Sequence, residues 1–234
     1  SRSMVDADPA VELLLRRDLE RRLGELPGAG TIEFRFRVGL GRIGDHLLEI
    51  ADAAQIDLIV VGTRQKGGLG RLSSVSSVLV HDAKQSVWCV PTHSHLGVAV
   101  VPRWKTVVVA TDLSEFGNHA VPYGYTLLGG HGGEVHLVHV RDEEHEGSDP
   151  ATVERKLLAL APPGQVGVIT RAHVITGDDP AQTIGETAER LGADVVVIAS
   201  RARSGLSRVL LGSVADKLLR ACRRPVLILR PPTE

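Results

Sequence analysis

Residues 56–72, IDLIVVGTRQKGGLGRL, and residues 193–209, ADVVVIASRARSGLSRV, follow one pattern at a constant offset. Asp57 falls on Asp194, Val60 on Val197 and Arg64 on Arg201; Gly68, Leu69 and Arg71 fall on Gly205, Leu206 and Arg208. The match resumes two positions later in the second copy, with Ser74 on Ser213, Val75 on Val214, Leu79 on Leu218 and Val87 on Val226. The first copy is therefore two residues shorter in the loop before its helix. Solenoid repeats run about 20–50 residues, and this period is far longer. The chain is a duplicated domain, divided here as 1–97 and 98–234, with VPTHSHLGVAVVPRW (90–104) as the link.

The second copy can be read alone. KTVVVATD (105–112) is a β-branched run of the kind a buried strand requires. SEFGNHAVPYGYTLLGG follows as a helix with Ser114 as N-cap and a glycine pair at its end. GEVHLVHV alternates as a strand, and PATVERKLLALAP is helical with Pro150 in its first turn. VGVITRAHVITG is a strand, and DPAQTIGETAERLG a helix capped by Asp178 or Asp179 with Pro180 at its start. ADVVVIAS is a strand, 212–223 a helix, and PVLILR the last strand. Strands alternating with helices predict a doubly wound parallel sheet of five strands. A few aromatics (3%) within 43% hydrophobic residues suit such a Val-, Leu-, Ile- and Ala-built core.

The first copy starts late. Helices over 9–25, 41–54 and 73–84 and strands over 31–38, 57–62 and 86–91 match only the last three strands of the unit. Nothing matches KTVVVATD, its helix, or GEVHLVHV. Pairing of the two copies through their last strands, SVWCVP and PVLILR, is expected, because bare apolar edges invite it.

Lys and Arg number 27 against 28 Asp and Glu, which argues against a nucleic-acid binder. No apolar run approaches the length of a membrane span and no signal peptide is visible, so a cytoplasmic location away from membranes is expected. Cys89 and Cys222 make neither a metal spacing nor a disulfide framework. His93 and His95 lack a third ligand nearby and read as solvated linker residues. His131, His136 and His139 read as structural, and 141–150 as an acidic loop.

VVVATDLSE, LVHV and the block ADVVVIASRARSGLSRVLLGSVADKLLRACRRPVLIL, with LSSVSSVLVHDAKQSVWCVP in the first copy, resemble the universal stress protein family in its tandem-domain form. The resemblance covers essentially the whole chain and implies the strand order 3-2-1-4-5 in each unit, the first lacking its first two strands. With that order, 31–38 would stand roughly 14 Å from 57–62, at about 4.8 Å per strand. About 60 further residues ahead of Ser1, or strands from another chain, are expected to fill the gap, since unpaired buried backbone is costly.

The resemblance also implies a ligand, ATP or AMP. Nucleotide-binding members carry two glycines three residues apart, then a Gly-Ser or Gly-Thr that opens a helix. Glycines admit close backbone approach, and a helix N-terminus favours anions. Carried over by position, Asp112 lies toward adenosine and Val140 beside the base. Ala199 and Ala202 lie along ribose and phosphate, and Gly212, Ser213 and Val214 hold the phosphates. Ala199 and Ala202 stand where the pattern has glycine, so two methyl groups point at the ligand's space. In the first copy the register gives Gly62, Gln65 and Ser73-Ser74. Arg201, Arg203 and Arg208 are further phosphate candidates by charge alone, and Asp112 could instead cap the following helix.

Two functions stay open: an adenine-nucleotide-sensing stress protein acting on an unknown protein partner, and a dimerising interaction scaffold that binds no nucleotide. A homodimer is expected in either case. An adenylyl transferase or ATPase is the weakest reading, since no nucleophile, base or metal cluster accompanies the loop and no Walker motif occurs.

Overall fold

The structure, a computed structural model, describes residues 8–24, 32–36, 41–64, 74–92, 103–142, 147, 149–200 and 211–231. The first repeat contributes α1 (Pro9–Leu23), α2 (Ile43–Ala53), β1 (Leu58–Arg64), α3 (Ser74–Asp82) and β2 (Ser86–Thr92). The second contributes β3 (Thr106–Ala110), α4 (Glu115–Asn118), α5 (Ala120–Leu127), β4 (Gly133–Arg141) and α6 (Pro150–Ala159), then β5 (Val168–Thr176), α7 (Pro180–Arg190), β6 (Val195–Ala199), α8 (Ser213–Ala221) and β7 (Val226–Leu229). All seven strands form one sheet, ordered β1-β2-β7-β6-β3-β4-β5. Within the second repeat this is the expected 3-2-1-4-5 arrangement, parallel throughout. The repeats join where β2 runs antiparallel to β7, pairing Val87 with Ile228, Trp88 with Leu227 and Cys89 with Val226.

Each face of the sheet has its own core. One gathers Val108, Val196 and Ile228 under Ala181 and Ile184 of α7 and Leu218 of α8, and runs on into the first repeat through Val80, Val87 and Cys89. The other packs Val107, Val109, Val195 and Val197 under Val121 and Tyr125 of α5 and Leu157 of α6. From the first repeat it takes in Trp88, whose ring lies 5.3 Å from that of Trp104.

Two expectations are revised, and one alternative is settled. Residues 32–36, from the expected strand 31–38, form no strand. A strand needs a neighbour to pair its backbone, and among the described residues β1 pairs with β2 alone. Phe34 and Phe36 lie half-buried beside α1 instead, each ring centroid 5.6 Å from the Arg16 guanidinium. The helix expected from Ser114 is broken into α4 and α5 at His119. Pro122 is the third residue of α5, where it has no N–H to give and crowds the carbonyl four residues back. The cap of α7 is Asp179, whose carboxylate accepts from Ala181 and Gln182 N–H. Residues 93–100 and 143–146, with the linker histidines and most of the acidic loop, lie outside the described residues, as does Ala202.

Candidate functional site

The carboxyl ends of β3, β4 and β6 open onto one edge, where the strand order reverses between β3 and β6. Ligands of open α/β sheets bind at such a switch point. Two adjoining cavities lie there. The smaller, of about 200 Å³, is lined mainly by apolar groups, among them Val138, Val140, Pro180, Ile184 and Ala199, with Thr111 and Asp112 at its polar side. The larger, of about 660 Å³, spreads over the start of α8, with Ser200, Leu211, Gly212, Ser213 and Val214 in its wall. Asp112, Phe116, Ile198, Ala199 and Val214 line both. Six of the seven residues singled out in the sequence thus surround one continuous space; Ala202 is the seventh.

The Asp112 turn is built by its neighbours. Leu113 takes a left-handed backbone (φ 61°), which reverses the chain directly after Asp112. Asp112 Oδ1 accepts from the Ser114 N–H (3.0 Å) and hydroxyl (2.5 Å), so Asp112 orients Ser114. Ser114 in turn caps α4 by accepting from Gly117 N–H at 3.0 Å. The capping role considered for Asp112 belongs to Ser114. Glycine at 117 leaves room for this carboxylate, since a Cβ there would force Asp112 to shift. Beneath the turn, buried His139 donates from Nδ1 to the Thr111 carbonyl at 3.0 Å and fixes where β3 ends.

At α8, Gly212 is the N-cap residue and makes no side-chain cap. Its N–H donates to Ser200 Oγ at 3.1 Å. The N–H groups of the first turn beyond it are the unsatisfied donors every helix start presents, and they border the larger cavity. Asp216 stands one turn in, held by both of its oxygens to Arg220 at 3.1 Å.

The sequence reading passed over two residues here. Arg230, directly after β7, is 8% exposed. Its guanidinium donates to the Ser200 carbonyl at 3.3 Å and to the Val80 carbonyl at 2.6 Å. His81, from the first repeat, lines the larger cavity 3.6 Å from Asp216 Oδ1. Neither belongs to a motif. Only their place beside the β2–β7 seam reveals them, and the seam follows from pairing rather than spacing.

Cys89 and Cys222 are buried, and burial pushes the Cys89 thiol up to about 12, so it is no nucleophile. Among the described residues no cluster of three or more His, Cys, Asp or Glu side chains is placed to hold a metal, and no helix is long and apolar enough to cross a membrane.

The family model described as the universal stress protein family matches residues 2–91 and again 103–230. The chain belongs to that family. It is 30% identical over 196 residues to a universal stress protein of Mycobacterium tuberculosis, covering 79% of this chain and 64% of the relative, so it spans about two thirds of that protein's length. A universal stress protein of Methanocaldococcus jannaschii is 29% identical over 143 residues, 55% of this chain and 84% of that one. Among solved structures, a universal stress protein from Archaeoglobus fulgidus superposes with a TM-score of 0.65 at 20% identity, covering 97% of this chain and 83% of its own. That likeness supports the fold alone.

Proposed function

We propose that the second repeat, residues 98–234, is an adenine-nucleotide-sensing unit and that its two adjoining cavities receive the base and the phosphates. The single observation that carries this reading is their continuity at the switch point. An apolar pocket beside Val140 leads, past Asp112 and Ala199, to a more polar one bordered by the start of α8. A flat base suits the first chamber. An anion suits the second, since a helix N-terminus offers both N–H donors and a favourable dipole.

Ala199 bears on the departure from the glycine pattern. Ala199 lines both chambers and both are open with alanine there, and it packs against the core under α5. The Asp112 carboxylate is exposed at the junction and can accept from sugar hydroxyls.

ATP, AMP and adenosine titrated against the protein in a thermal-shift assay test the reading. Ligand at about 100 times its dissociation constant stabilises by about 2.7 kcal/mol. Stabilisation by ATP is expected to weaken in Asp112→Ala and to vanish in Gly212→Val, whose side chain enters the phosphate chamber. Ala202→Gly is expected to tighten binding. If no nucleotide moves the melting temperature at millimolar concentration, the scaffold reading replaces this one.

A further inference from the structure

We infer that the first repeat completes the phosphate chamber of the second, with His81 as the anion-facing group it contributes and Arg230 as the residue that positions it; the inference rests on the nucleotide reading above. The duplicated domain then acts as part of its sister's binding site.

The placement follows from the seam. Because β2 runs antiparallel to β7, the end of α3 arrives at the same edge of the sheet as the start of α8. His81 lies in the last turn of α3 and shares the wall of the larger cavity with Gly212 and Ser213. Its side chain is 32% exposed. Its Nε2 lies 3.6 Å from Asp216 Oδ1, beyond a hydrogen bond, and the Asp216 carboxylate is already held on both oxygens by Arg220. The imidazole therefore borders the chamber with Asp216 at ion-pair distance but without a hydrogen bond to it.

Arg230 fixes this geometry through one connected set of bonds. Nη2 donates to the carbonyl of Val80, the residue before His81, and Nη1 donates to the carbonyl of Ser200, the residue after Ala199. Ser200 Oγ accepts from Gly212 N–H, and the Arg230 N–H donates to Ser86 Oγ at 3.2 Å. One buried side chain thus sets the end of β6 against the end of α3. An imidazole N–H at that point faces phosphate oxygens and not the base or sugar, so its ligand class is the phosphate tail of a nucleoside di- or triphosphate.

Isothermal titration of the full chain with ATP and with adenosine decides the matter, using wild type, His81→Ala and His81→Gln. His81→Ala is expected to weaken ATP about tenfold, the scale of one charge-assisted hydrogen bond, and to leave adenosine unchanged. His81→Gln, which keeps a side-chain N–H donor, is expected to recover part of the loss. Equal ATP affinity in wild type and His81→Ala overturns the inference. So does equal weakening of ATP and adenosine, which would mark His81 as merely structural. A wild type that binds neither ligand overturns the nucleotide reading itself, and this inference with it.

Discussion

Val60 and Val197 hold the same place in the repeat, yet Val60 is 63% exposed and Val197 fully buried. Leu58 and Val195, two positions earlier, differ in the same way, at 39% and 0%. Both strands are equally apolar. β6 lies between β3 and β7 with α5 across the face that carries Val195 and Val197. β1 pairs with β2 alone and ends the sheet. The aspartates that open the two strands show the same contrast. Asp194 Oδ2 accepts from the Lys105 and Thr106 N–H groups at 2.7 and 2.9 Å, clamping the start of β3. Asp57 is exposed and has no such strand beside it. A strand's sequence states its readiness for burial, and its neighbours decide whether burial occurs.

The sharpest way to break this comparison is a charge at each position. Val197→Asp is expected to cost more than about 4 kcal/mol and to prevent folding, because it buries an unpaired carboxylate. Val60→Asp is expected to stay within about 0.5 kcal/mol, as surface substitutions do. Denaturant midpoints of both variants read the difference, and equal losses would mean that β1 is covered in solution.

The seam offers the next largest effect. Arg230→Met removes the donors to Val80 and Ser200 while keeping the stem, and leaving two carbonyls unpaired is expected to cost about 2 kcal/mol. Thermal unfolding measures it; no loss would show that the repeats do not depend on this link. A smaller effect separates the aspartates. Asp194→Ala is expected to lose about 1 kcal/mol in chemical unfolding, while Asp57→Ala is indistinguishable from wild type.

The smallest lies at the far edge of the sheet, between β4 and β5. His136 Nδ1 and His173 Nε2 are 2.9 Å apart, and burial is the main reason both imidazoles titrate below their ordinary value of 6.5. The unfolded chain therefore binds these protons more readily than the folded one. Unfolding free energy is complete above about pH 6.5 and falls as pH drops through the interval below it. A melting temperature lower at pH 5.5 than at pH 7.5, with the gap narrowed in His136→Gln, is the expected result.

The second repeat was legible almost element by element because its local signals agree: β-branched strands, Ser114 and Asp179 as caps, Pro150 and Pro180 at helix starts. TIEFRFRV misled because it alternates as a strand should; alternation describes a face, while a ladder also requires partners. Asp112, Val140, Ala199 and Gly212 were marked through the family resemblance, and they share one edge because a doubly wound sheet gathers the carboxyl ends of its strands and the starts of its helices there. His81 and Arg230 were illegible for one shared physical reason. Each meets its partner across a long distance in sequence: His81 faces Asp216 of the other repeat, and Arg230 lies 150 residues from Val80. No spacing rule reaches that far.

The antiparallel seam has an electrical consequence. Neighbouring parallel β-α-β units point their helices the same way, so at one edge of the sheet every helix presents the same pole. Here α3 and α8 lie on one face and run in opposite directions. The negative end of α3 therefore stands beside the positive end of α8, and on its own would offset the pull that α8 exerts on an anion. Arg230 is placed at that negative end, with a hydrogen bond to one of its last carbonyls. Besides the carboxylates of Asp112 and Asp216 in its wall, the cavity feels three sources, two helix ends of opposite sign and one fixed cation. Two of the three are set by how the repeats were joined.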